Sequence, residues 1–83
     1  MHLEIITPKK TLYSGDILIV KLPGTKGSFE IMKNHAPIIS SLEKGIIVLK
    51  DVNEKTFQFE ILGGVVECKD NKIIVLTSEG STL

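Results

Sequence analysis

Alanine occurs only once in the 83 residues, at Ala36. A chain so poor in the best helix former is not a helical domain. Cysteine is equally scarce: Cys68 stands alone, which excludes an intramolecular disulfide and any cysteine-based metal site. Net charge is missing as well. Ten lysines offset ten acids and no basic stripe appears, so nothing in the electrostatics recruits nucleic acid. No run approaches the roughly 20 apolar residues needed to cross a bilayer. The opening Met1-His2-Leu3-Glu4 lacks the charged start and apolar stretch of a signal peptide. The expectation is a soluble, cytoplasmic protein that meets a membrane only through a partner. There is no repeat with a period of roughly 20–50 residues and no low-complexity linker. Residues 1–83 therefore read as a single domain.

What fills the chain instead is β-branched. It holds 12 Ile and 6 Val, side chains stiff at χ1 that suit a pleated surface. A hydrophobic share of 42% with zero net charge argues for a folded globule. In order, His2 to Thr7, Thr11 to Tyr13, Ile17 to Leu22, Ser28 to Met32 and Pro37 to Leu42 read as strands. Ile46 to Lys50, Lys55 to Ile61, Val65 to Cys68 and Lys72 to Thr77 follow. The intervening turns fall at Pro8, Ser14-Gly15-Asp16, Glu43-Lys44-Gly45, Asp51 to Glu54, Leu62-Gly63-Gly64 and Asp70-Asn71. Ser78 to Leu83 reads as a polar tail. Lys55 to Ile61 alternates cleanly, with Phe57, Phe59 and Ile61 inward. Ile17 to Leu22 and Ile46 to Lys50 are apolar on both faces, which calls for a covering loop or a protein partner. The fold expected is an all-β two-layer sandwich or flattened barrel of about nine to ten short strands.

Reactive groups form no recognisable pattern. There is no Gly-x-Ser-x-Gly elbow, and His2 and His35 do not stand at a ligand spacing. Gly24-Thr25-Lys26-Gly27 lacks the full spacing of a phosphate loop and no helix follows it. His35, beside Ala36 and Pro37 in a turn, suits a backbone hydrogen bond or a partner contact. A biotinyl or lipoyl carrier domain is a weaker alternative. Met32-Lys33 offers a lysine near a turn, but Asn34 stands where the second methionine would be.

One stretch is denser in chain-turning residues than any other: Leu22 to Gly45, with Pro23, Gly24, Gly27 and the Asn34-His35-Ala36-Pro37 corner. Leu22-Pro-Gly-Thr-Lys-Gly-Ser-Phe29 and Asn34-His-Ala-Pro-Ile-Ile-Ser-Ser-Leu-Glu-Lys-Gly45 resemble the epsilon subunit of bacterial F-type ATP synthase. Ile6-Thr7-Pro8, Tyr13-Ser14-Gly15, Leu62-Gly-Gly-Val-Val-Glu67 and Lys72-Ile-Ile-Val-Leu-Thr77 continue the resemblance in collinear order. Met32-Lys33 departs from it, where the family usually has Leu-Pro. The resemblance implies a β-sandwich at the foot of the rotating central stalk, joining the gamma subunit to the c ring. It implies no catalytic residue, cofactor or metal, and a peripheral place on the cytoplasmic face of the plasma membrane. By position, Ser28, His35, Pro37 and Ser40 would face the polar loops of the c ring, and Thr7 would face gamma. Family members commonly carry a C-terminal helical hairpin that restrains hydrolysis. The expectation for this chain is a collar without that brake. A β-sandwich binding some other protein remains the alternative.

Overall fold

Branched apolar residues alternating with polar ones make strands. The computed structural model describes all residues from Met1 to Leu83. It has seven strands: β1 His2–Ile6, β2 Thr11–Leu22, β3 Phe29–Met32, β4 Ile38–Asp51, β5 Thr56–Lys69, β6 Lys72–Leu76 and β7 Gly80–Thr82. The all-β class holds, whereas the count is lower than expected. Three of the anticipated turns lie inside strands: Ser14-Gly15-Asp16 in β2, Glu43-Lys44-Gly45 in β4 and Leu62-Gly63-Gly64 in β5. At these places the strand bends without losing its neighbour. Leu42 pairs with Gly64 and Lys44 with Leu62, so the β4–β5 register runs straight through the corner. In the supposed polar tail, Gly80 to Thr82 adds a strand against Phe59 to Ile61.

The strands follow one another in the order β1-β6-β5-β4-β2-β3, and β1 also pairs with β2, which closes the sheet. β1 is parallel to β6 and antiparallel to β2. Each long strand serves two layers. The first half of β2 meets β1, and Ile17 to Lys21 meets β4. β5 holds β7 at Phe59 to Ile61 and β6 at Val65 to Lys69. Sandwich and flattened barrel are thus the same object, folded over at the bends.

Fifteen buried hydrophobic residues form one cluster inside it. Leu3 and Ile5 from β1, Phe59 and Ile61 from β5, and Ile73 and Val75 from β6 occupy the alternation their sequences predict. Cys68 lies among them as a small core hydrophobe, and burial pushes its thiol pKa up. Asp70 and Asn71, with φ of 52° and 60°, form the expected two-residue hairpin turn.

The bend in β5 depends on Gly63 and Gly64, whose φ values are 101° and 148°. It is tied down by Thr77, a polar side chain only 5% exposed. The Thr77 hydroxyl lies within hydrogen-bond reach of the Gly63 and Glu79 carbonyls. Thr77→Val keeps the shape and strands the Gly63 carbonyl. It is expected to remove about 1–2 kcal/mol of stability in urea unfolding, and an unchanged midpoint would show that the hydroxyl is dispensable.

Candidate docking surfaces

The outer face of the β1, β5, β6 layer carries the largest concavity. Val65 pairs with Leu76, and Leu76 pairs with Ile6. Three aliphatic side chains therefore stand in one row across three strands. With Thr7, Pro8 and Gly64 they line a shallow hollow. Val65 is 41% and Leu76 53% exposed. The hollow exists because Lys72 to Leu76 is apolar on both faces: Ile73 and Val75 fill the core, and Leu76 is left outside. Thr7 shapes its rim. Its Oγ1 accepts from the Lys10 N–H at 3.1 Å and donates to the Lys10 carbonyl at 3.0 Å, and its own N–H reaches that carbonyl at 2.8 Å. This closed turn holds Pro8 against the hollow.

The two strands expected to be apolar on both faces also show surplus surface, in the other layer. Leu18 and Ile46 are exposed, and Ile19 and Val48 are half-buried. Strict alternation would put Leu18 on the face of Val20, yet Leu18 is exposed and Val20 buried. A bulge between Ile17 and Ile19 shifts the register and turns both Ile17 and Val20 inward.

The four remaining candidate residues do not gather at one point. Ser28 precedes β3, while His35 and Pro37 follow it. The length of that strand, about 13 Å, stands between them. His35 Nδ1 lies 2.7 Å from the Ala36 carbonyl, the local backbone bond anticipated for it. Ser40 is half-buried on the inward side of β4, in phase with Leu42, and its hydroxyl reaches only the Ser41 carbonyl at 3.4 Å. Its neighbour Ile39 is 73% exposed, the residue that sequence reasoning passed over. The signal was available: with Leu42 inward, strand alternation turns Ile39 out. Loop backbone covers this edge only further on, through Thr25 N–H to Ser41 C=O (3.1 Å) and Glu43 N–H to Pro23 C=O (2.9 Å). Lys33 is exposed between β3 and β4, which are not paired with each other. It therefore does not sit at the hairpin tip that a carrier lysine occupies.

No group of three or more His, Cys, Asp or Glu side chains converges as a metal cage. The titrating group most altered by the fold besides Cys68 is Tyr13. Its ring lies 5.6 Å from Phe57 and 5.8 Å from Phe59. Burial, then the Asp51 and Asp16 carboxylates, raise its pKa. A raised folded-state value means that Tyr13 contributes fully below the ordinary tyrosine value of about 10. That contribution is lost as pH climbs through the folded value. Urea midpoints should decline above about pH 10, and Tyr13→Phe should make the decline shallower. An identical alkaline slope in the variant would remove Tyr13 as its source.

A closed β-sandwich that exposes an aliphatic hollow is a domain with surface to offer another protein. Comparison with known proteins gives the particular kind. The chain belongs to the family described as ATP synthase, Delta/Epsilon chain, beta-sandwich domain, whose model matches residues 1–81. It is 41% identical over 77 residues to the ATP synthase epsilon chain of Pelotomaculum thermopropionicum, covering 93% of this chain and 57% of that one. It is 44% identical over 81 residues to the ATP synthase epsilon chain of Chlorobaculum tepidum, covering 95% and 90%. It thus spans little more than half of one relative and nearly all of the other. Among solved structures it resembles a chain of the Euglena gracilis mitochondrial ATP synthase, OSCP/F1/c-ring, with TM-score 0.87 and 17% identity over 96% of this chain and 51% of that one. A chain of the Tetrahymena thermophila mitochondrial ATP synthase central stalk/c-ring aligns with TM-score 0.79 and 18% identity, covering 96% and 64%. At that identity the two structures speak to the fold alone.

Proposed function

We propose that this domain is a non-catalytic rotor subunit of an F-type ATP synthase, fastening gamma to the c ring so that proton-driven rotation reaches the catalytic head. Family membership supports the assembly. The observation that carries the reading is the hollow of Ile6, Pro8, Val65 and Leu76, with Thr7 on its rim, on a chain of zero net charge. An aliphatic hollow ringed by polar turns matches the buried centre and wet rim of a protein interface. Thr7, matched by position to the gamma side, lies at this hollow. His35 and Pro37 lie in a different loop, as a two-sided joint requires. In this reading gamma covers the hollow, and the polar loops of the c ring meet the edge from Ser28 to Ser40. The domain is then peripheral, held at the cytoplasmic face of the membrane through the complex.

In this reading the β-sandwich of residues 1–83 is the collar. The test is recovery of the tagged chain with gamma and the ATPase head from membranes of its own cell. Recovery with neither overturns the reading and favours a sandwich that serves some other protein. Adding the domain to the purified head should change ATP hydrolysis little, and strong inhibition would contradict the collar.

A further inference from the structure

The loop from Lys33 to Pro37 belongs to no strand, yet it has one distant anchor. The Asn34 N–H donates to Asn71 Oδ1 at 2.7 Å, and Asn71 Nδ2 donates to Asn34 Oδ1 at 3.1 Å. The first bond requires an oxygen at its acceptor end, which leaves the amide nitrogen of Asn71 for the second. The other hydrogen bonds of this loop are local: His35 N–H to Met32 C=O at 3.2 Å, and His35 Nδ1 to the Ala36 carbonyl. The two asparagines are 37 positions apart in sequence. Both have left-handed backbones, with φ of 65° and 60°, a conformation asparagine tolerates better than most residues.

Asn71 is itself held. It occupies the tight turn between β5 and β6, and its carbonyl accepts from the His2 N–H at 2.9 Å. Its side chain therefore projects from a rigid corner of one layer to the loop that leaves the other. Neither asparagine needs to touch a partner to matter. Their exchange selects one conformation for a five-residue segment that would otherwise pay for its ordering when it docks.

The geometry points to Asn71 as a positioning residue: through its side-chain amide it presets the His35–Pro37 loop in the shape that meets the c ring. This rests on the reading that the loop faces the ring, and it adds a residue outside the loop to that interface. If the docking-competent loop falls to about a tenth of the population without the bridge, apparent affinity falls about tenfold.

Asn71→Gly tests this without straining the turn, because glycine accepts the left-handed backbone and removes only the amide. Asn71→Asp keeps an acceptor for the Asn34 N–H. Three quantities are read on the full chain: hydrogen exchange at the Asn34 amide, the thermal midpoint, and affinity for a purified gamma–c-ring subcomplex. Ala36→Trp, a bulky change at the exposed centre of the loop, reports separately whether the loop faces the ring. For Asn71→Gly we expect Asn34 exchange to quicken at least tenfold, binding to weaken about tenfold, and the midpoint to stay within a few degrees. Asn71→Asp should restore amide protection and most of the binding. Undiminished affinity in Asn71→Gly, with Ala36→Trp binding poorly, would overturn the positioning role alone. Undiminished affinity in Ala36→Trp would overturn the placement of the loop, and the inference with it.

Discussion

Gly64→Ala should remove a large part of the domain's stability. A Cβ at that position would run into the Leu76 carbonyl, and φ at 148° suits almost no residue but glycine. The carbonyl belongs to the neighbouring strand and has no flexible end to swing aside. Relief requires β5 and β6 to separate at the bend. A loss of about 3 kcal/mol or more is expected, against a total stability of about 4–12 kcal/mol for a domain of this size. Gly27→Ala provides the comparison. Its φ is also positive, at 120°, but nothing lies within 4 Å of the added methyl. That variant carries the conformational penalty alone, about 1–2 kcal/mol. Circular dichroism during urea unfolding measures both, and equal losses would mean that the contact with Leu76 is relieved easily.

Leu76→Lys should abolish capture by gamma while the domain stays folded. Leu76 is 53% exposed, so the stability change should remain within about 0.5 kcal/mol. At a covered interface the same ammonium would be buried without a partner, and affinity should drop about 100-fold or more. Ile46→Lys makes an equivalent change at an exposed position in the other layer and should bind gamma normally. The opposite pattern, with Ile46→Lys defective and Leu76→Lys intact, would move the gamma contact to the other layer.

Much of the fold was legible residue by residue. Phe59 and Ile61 alternate inward, Asp70-Asn71 turns tightly, and Cys68 is packed away, because each depends on local pattern or local backbone preference. The bends at Ser14-Gly15-Asp16 and Glu43-Lys44-Gly45 were misread as turns for a physical reason. Glycine and small polar residues permit both a reversal and a corner, and only the continuing pairing across the corner distinguishes them. Gly80-Ser81-Thr82 has no apolar alternation at all, and its strand exists because β5 offers an open edge. The hollow draws on positions 6, 65 and 76, which meet only through the β1–β6 and β5–β6 registers. Sequence could show that Lys72 to Thr77 is apolar on both sides, not what stands beside it. Thr7, taken from resemblance, falls at that hollow. Ser40 proved turned inward where Ile39 is turned out, a matter of strand phase.

The parallel pairing of β1 with β6 sets how the domain responds to mechanical load. Pulled by Met1 and Leu83, β7 peels away first, its few rungs opening in succession like a zip. Beyond it, tension drags β1 and β6 lengthwise in opposite directions, and all five registered pairs from His2–Lys72 to Ile6–Leu76 share the strain together. The β1–β6 ladder is therefore the domain's tensile clasp.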